Sequence, residues 1–239
     1  MLVNAYLMSQ LSLEGFTNFF EYYGEEYHQK KAIEILYNEL PDELIDENSE
    51  WIKTYRKQVE GSQAPGIATP ILMQQLTGYA AKEFDSVFIN DCNRLFADTG
   101  FDKRLDAMQM LMANMMHETA NFVYMKEISD GMYLRGRSDL GHGPNEGEIW
   151  KGAGVLQLTG KYNYSRLAEG INDPKVMEGV DYVSTTYPFT SARIWIEEND
   201  LLNICLTEGF DACCLRINGG WNGYNDRLAK YQICKQYMV

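Results

Sequence analysis

The sequence predicts a mainly α fold, and three observations carry that expectation. Apolar residues recur at helical spacing through DKRLDAMQMLMANMMHET, where Leu105, Met108, Leu111, Met112, Met115 and Met116 fall on one face. Thr69-Pro70 has the form of an N-cap followed by proline at the first helical position. Strand signals are few and short, chiefly Val155 to Leu158.

The small, proline-bearing stretch GSQAPGIATP, Gly61 to Pro70, reads as a seam between residues 1–64 and 65–239. Before it, Ala32, Ile35, Leu36 and Leu40 recur at helical spacing until Pro41 stops the helix, and Trp51 and Tyr55 sit one turn apart on the next. This first part is acidic and too small to bury much core alone, so it is expected as a helical module that packs on its neighbour. After the seam come a helix from Pro70 and the methionine-rich helix. Further helices are expected around Tyr164 to Glu169, Ser191 to Glu198 (opened by Pro188) and Asn225 to Tyr237. There is no internal repeat and no low-complexity tract.

Composition narrows the function classes. Hydrophobic residues make up 45% of 239, enough for a substantial core. A net charge of -13 opposes attraction to nucleic acid and to anionic membranes. No stretch approaches the ~20 apolar residues of a membrane span, and the N-terminus lacks a basic start and an apolar run, so neither membrane insertion nor a signal peptide is expected. The five cysteines show no CxxC spacing, which argues against a disulfide framework or zinc ribbon and for buried, reduced thiols in a cytosolic chain. Sixteen tyrosines favour amphipathic surfaces suited to sugars, peptides or protein partners. The chain is expected to be a monomer.

Two carboxylates attract attention. Glu118 ends the apolar run of the methionine helix; partial desolvation there would raise a carboxyl pKa and keep it protonated as a general acid. Glu127 follows nine residues later. In an unbroken helix that offset places the pair ~13.5 Å apart on opposite faces, but Asn121 and the glycine-containing stretch after Glu127 predict that the chain turns back. A turn would bring the pair to the ~6.5–9.5 Å of an inverting glycosidase. The plainer alternative is an ordinary salt bridge. His117-Glu118 also opens an HExxH pattern, but its fifth position is Asn121 and the other two of three histidines, His28 and His142, lie far off, so no metal site is expected.

A second group of neutral side chains sits in GVLQLTGKYNY: Gln157, Thr159 and Asn163. Read without context, Thr159 is a strand-end hydroxyl, Gln157 a backbone cap, Asn218-Gly219-Gly220 a turn, and Tyr162 and Tyr164 packing residues. The methionine stripe is core, and no cofactor is expected.

These motifs gain meaning from their order. HETANF, Glu127, GRSDLG, KGAGVLQLTGKYNY and RINGGWNGYNDR follow one another as in glycoside hydrolase family 19, and the chain from about Ala68 to Tyr231 resembles its lysozyme-like phage endolysin branch, related to plant chitinases. The resemblance implies a lysozyme-like α+β domain with a central substrate cleft over 65–239. It implies Glu118 as general acid, Glu127 as general base and Thr159 as the hydroxyl that holds the attacking water. Gln157, Asn163 and Asn218 would bind substrate, with His117 beside the acid and Arg227 pairing with a carboxylate of the site. Glu146 or Glu148 is the alternative base, because plant chitinases place the second carboxylate further along. Where that branch shows GRG, this chain has Gly152-Ala153-Gly154, so an arginine is missing.

The function so implied is metal-free, inverting hydrolysis of β-1,4 bonds between N-acetylated sugars. Peptidoglycan strands are the expected partner, with the chain held in the host cytoplasm until lysis or carried in a virion. The alternatives are a chitinase and a catalytically inactive wall-binding or virion structural protein.

Overall fold

The computed structural model describes residues 67–239; the module expected over residues 1–64 lies outside the described residues. Nine α-helices are seen among the described residues: α1 Pro70–Thr77, α2 Ser86–Thr99, α3 Leu105–Glu118, α4 Lys161–Ile171, α5 Val180–Thr186, α6 Arg193–Glu198, α7 Leu201–Thr207, α8 Phe210–Asn218 and α9 Tyr224–Tyr237. Short 3-10 turns join several of them.

Helix α1 begins as the sequence predicts: the Thr69 hydroxyl accepts from the Leu72 amide at 3.1 Å, and Pro70 takes a position where its missing N–H costs nothing. The methionine helix α3 departs from the expected one-sided pattern. Every residue from Ala107 to Met116 is buried, while Leu105, expected on the core face, is 42% exposed. A helix buried all round is the centre of a fold, not its edge. Helices α7, α8 and α9 pack around it, and α9 also meets α1. The two polar side chains caught inside are satisfied by long-range partners: Gln109 donates to the Met238 carbonyl at 2.7 Å, and Asn114 accepts from Arg227 at 2.7 Å.

Helix α2 was not anticipated. Asp85 caps it by accepting from the Phe88 amide at 2.9 Å, Gly100 ends it in the left-handed region, and Ile89, Cys92, Leu95 and Phe96 form its buried face. That face also carries Asp91, whose carboxylate accepts from the amides of Phe189 (2.7 Å) and Thr190 (3.0 Å) and from the Thr190 hydroxyl (2.5 Å). Burial raises this carboxyl above its ordinary value against the pull of those donors. The contact ties α2 to the turn before α6, which starts at Arg193 after a 3-10 turn over Thr190–Ala192 and not at Ser191.

The expected strand over Val155 to Leu158 does not form; it is corrected to a tight loop. Ala153 and Leu158 exchange backbone hydrogen bonds of 3.0 and 2.8 Å across four residues, and Lys126 bridges to Ala153 on the other side. Gly154 and Gln157 both take positive φ, which no strand tolerates, and a Cβ on Gly154 would stand 1.9 Å from the Ser191 hydroxyl. A second apolar cluster, with Trp150, Tyr164, Leu167, Val176 and Val183, backs this loop.

All five cysteines are buried and unbridged. Burial pushes the Cys92 thiol well above its usual value and that of Cys234 to about 12. No helix among the described residues is long and apolar enough to cross a membrane.

Candidate active site

The chain does double back after α3. Ala120, Asn121 and Phe122 take φ of +50°, +60° and +69° in succession, an uncommon conformation for three residues that are not glycine. Thr119 holds the turn. Its hydroxyl donates to the Met115 carbonyl at 2.7 Å and accepts from the Phe122 amide at 2.9 Å, while its own carbonyl accepts from Tyr124 at 2.9 Å. The ring of Phe122 is then buried edge-on against Phe88, 5.4 Å between centroids. Burial of this ring offsets the backbone strain.

Glu118, the last residue of α3, lies partly exposed at the core boundary, and it is paired. Its Oε1 accepts from Nη2 of Arg227 in a close ion pair. Arg227 is 1% exposed and spends its other terminal nitrogen on Asn114, so it lies behind the acid and cannot touch a substrate. The pairing with a carboxylate of the site that the resemblance implies for Arg227 is thus seen, with Glu118, but its burial removes it from the residues that could bind substrate directly. His117 donates from Nδ1 to Asp226 at 2.6 Å, and its ring lies so close over Gly223 that a Cβ there would meet it at 2.2 Å. Burial pushes the Asp226 carboxyl up, but the hydrogen bond from His117 and the charge of Lys230 outweigh it and leave the group below its ordinary value.

Glu127 lies beyond the turn. Its backbone amide donates to the Gly152 carbonyl, and its carboxylate accepts from the Gly152 amide (2.9 Å) and the Tyr133 hydroxyl (2.8 Å). Burial, then the hydrogen bond to Glu127, raise the Tyr133 phenol, so it stays a donor at neutral pH. The alternative bases are differently placed. Glu146 takes both oxygens to Lys161, at 2.8 and 3.1 Å, and Glu148 forms a two-pronged pair with Arg135. Those hydrogen bonds hold both carboxyls below their usual range. Of the three, Glu127 is the carboxylate whose partners are neutral. Phenylalanine at Tyr133 removes one of them; for Glu127 acting as the base that the family resemblance implies, the expected result is a fall in kcat of about 3–10-fold at unchanged KM, from loss of roughly 1 kcal/mol of orienting hydrogen bond. Steady-state kinetics checks it.

Of the neutral side chains, Thr159 and Gln157 lie on the loop that carries Gly152. Thr159 donates to the Gln157 carbonyl at 2.9 Å, leaving its oxygen lone pairs to accept. Gln157 turns inward, its amide donating to the Gly154 carbonyl at 3.0 Å. Its side-chain oxygen crowds Gly152, so it shapes the loop that grips Glu127; the backbone-cap alternative describes it. Asn163 donates to the Thr159 carbonyl at 2.7 Å in the first turn of α4, and Asn218 donates to the Gly220 carbonyl at 3.1 Å, a local turn. Tyr164 is fully buried and donates to the Lys151 carbonyl, as a packing residue should; Tyr162 is instead 60% exposed. Ala153, in place of the missing arginine, is fully buried.

Four neighbours of the candidate residues are not singled out by the sequence: Tyr133, the Gly152 amide, Asp226 and Trp221, the last three lying within the quoted motifs. Trp221, Gly223, Tyr224, Asn225 and Asp226 line an open depression of about 620 Å³ next to His117. Among the described residues no group of His, Cys, Asp or Glu gathers as a metal would require.

A central buried helix ending in an acid, with helices around it and a loop-rich face, is a mainly helical lysozyme-like fold. Solved structures share it: chitinase C from Streptomyces griseus HUT6037 (TM-score 0.53, 17% identity, over 74% of this chain and 78% of that one) and a mutant of chitinase C (TM-score 0.55, 15% identity, over 74% and 95%). At these identities the likeness is one of fold. Two endochitinases of Arabidopsis thaliana are similar in sequence, at 29% identity over 160 residues and 25% over 167, which is 65% and 69% of this chain. The chain spans 55% and 58% of their lengths, little more than half. No protein-family model matches the chain.

Proposed function

We propose that this chain is a glycoside hydrolase of the family 19 type, cleaving β-1,4 bonds between N-acetylated sugars by single displacement. Glu118 protonates the leaving oxygen. Glu127 takes a proton from a water that attacks the opposite face of the sugar, and Thr159 accepts a hydrogen bond from that water. The observation that carries the reading is the reversal at Ala120–Phe122, which follows the acid at once and leads to a second carboxylate held by neutral donors. A base that must take a proton is better served by Tyr133 and a backbone amide than by the lysine and arginine that occupy Glu146 and Glu148.

Chitin-type chains of N-acetylglucosamine are the better supported substrate, because the similar proteins are named chitinases. Peptidoglycan strands are the second reading, resting on the likeness of the motif order to the phage endolysin branch; a lytic role and release from a host cytoplasm or virion belong to that reading. Single displacement fixes the stereochemistry: the first product released from a β-linked oligomer is the α-anomer. Proton NMR recorded within minutes of mixing with chitohexaose should show the α signal above its equilibrium share. An initial β excess would replace the mechanism by a double displacement. Reducing ends released from chitin and from purified peptidoglycan, measured side by side, separate the two substrates.

A further inference from the structure

The tryptophans among the described residues have unlike surroundings. Trp150 is 5% exposed and Trp195 packs against the main core, whereas Trp221 is 57% exposed. A large indole left in water forgoes hydrophobic stabilisation unless something covers it. Trp221 is nevertheless held in place. Its ring meets Tyr224 edge-on, 5.0 Å between centroids and 81° between planes. The Tyr224 hydroxyl donates to Asp211 at 2.6 Å, and Tyr224 leans on Phe210, which stacks on Tyr231 at 4.4 Å and 7°. A chain of aromatic rings thus runs from the main core to the surface and ends in an open face.

That face sits beside the chemistry. Gly223, two residues on, lies under the His117 ring, and His117 immediately precedes Glu118. The depression that Trp221 lines also presents the Asp226 carboxylate and Asn225, groups that bind hydroxyl and amide hydrogens. An apolar plate flanked by such acceptors matches a pyranose ring, whose axial C–H bonds make one face apolar while its hydroxyls point outward.

We infer that Trp221 is the stacking platform of a sugar subsite next to Glu118, taking one ring of the neutral β-1,4 glycan. The inference rests on the proposed glycan hydrolysis and adds to it a residue that sets affinity without entering the chemistry. The test uses the full chain carrying Glu118→Gln, so that chitotetraose and chitohexaose bind without turnover, and reads Kd by calorimetry. Adding Trp221→Ala should weaken chitohexaose binding about ten-fold or more, the usual consequence of truncating an aromatic anchor, while Trp221→Phe stays within about three-fold. In the otherwise native chain, Trp221→Ala should raise KM with little change in kcat. Unchanged Kd and KM in Trp221→Ala, with the native chain hydrolysing normally, would overturn the platform alone. Failure of the native chain to hydrolyse and of Glu118→Gln to bind would overturn the glycan reading, and the platform with it.

Discussion

Glutamine at Glu118 is expected to lower kcat on chitin oligomers by at least about 100-fold, because a positioned general acid contributes ~10²–10⁴ in rate. The substitution keeps the shape of the side chain. Its amide oxygen can still accept from Arg227, so the ion pair becomes a hydrogen bond from a charged guanidinium to a neutral amide; the fold should hold, at a melting temperature several degrees below the native chain because the buried cation loses its counter-charge. Oligomer binding should survive as well, since the role proposed for Glu118 is to supply a proton and not the bulk of the contacts. Activity, melting and Kd measured on one preparation therefore separate loss of chemistry from loss of structure. Retention of more than half the native rate would remove Glu118 from the mechanism. A native chain that binds walls or chitin but releases no reducing ends would favour the inactive wall-binding alternative.

Much of the fold was legible in the sequence. The Thr69-Pro70 cap works because both its signals are local: a hydroxyl reaching an amide three residues on, and a proline where no N–H is needed. The methionine helix was legible as a helix but not as a central one. Its periodicity names one apolar face, whereas burial of Gln109 and Asn114 depends on the Met238 carbonyl and on Arg227, more than a hundred residues away. Helix α2 carries its signals locally: Asp85 as its cap, Ile89, Cys92, Leu95 and Phe96 at helical spacing, and Gly100 at its end. The supposed strand at Val155 shows the opposite error. An apolar run suggested extension, but Gly154 turns left-handed to fit against Ser191 and Pro188, a contact that no pattern within the run encodes.

The site divides along the same line. Motif order names Glu118, Glu127 and Thr159 as candidates and Arg227 as the partner of a carboxylate, but not what holds Glu127 or Thr159. The reversal between the carboxylates uses Ala120 and Phe122 at positive φ, residue types that give no turn signal, and it depends on Thr119 and on where the Phe122 ring finds cover. Tyr133 reaches Glu127 from an exposed 3-10 turn with no periodicity to read. Gly152 contributes only its backbone. Arg227 was visible as a residue but not as a buried one, because a charge inside α9 looks the same in sequence whether it faces solvent or an acid.

Arg227 is where stability and chemistry meet, and leucine there should be among the most damaging single changes in the domain. The guanidinium joins two helices: it rises from the first turn of α9, bonds Asn114 in the second half of α3 and pairs with Glu118 at the end of α3. Leucine leaves the Asn114 side-chain oxygen buried without its donor, a cost of about 1–3 kcal/mol. It also leaves the Glu118 carboxylate without its cation at a partly exposed site, and opens space where the guanidinium lay. Together these should lower unfolding free energy by about 3–5 kcal/mol, read from urea denaturation followed by tryptophan fluorescence. Lysine is the informative companion. It keeps the charge and most of the volume but cannot bridge both partners in a fixed fork, so stability should recover by about half while kcat remains at least about ten-fold down. If the leucine variant loses under 1 kcal/mol, the buried fork is not what joins α3 to α9. If the lysine variant regains full activity, the charge beside Glu118 matters and its direction does not.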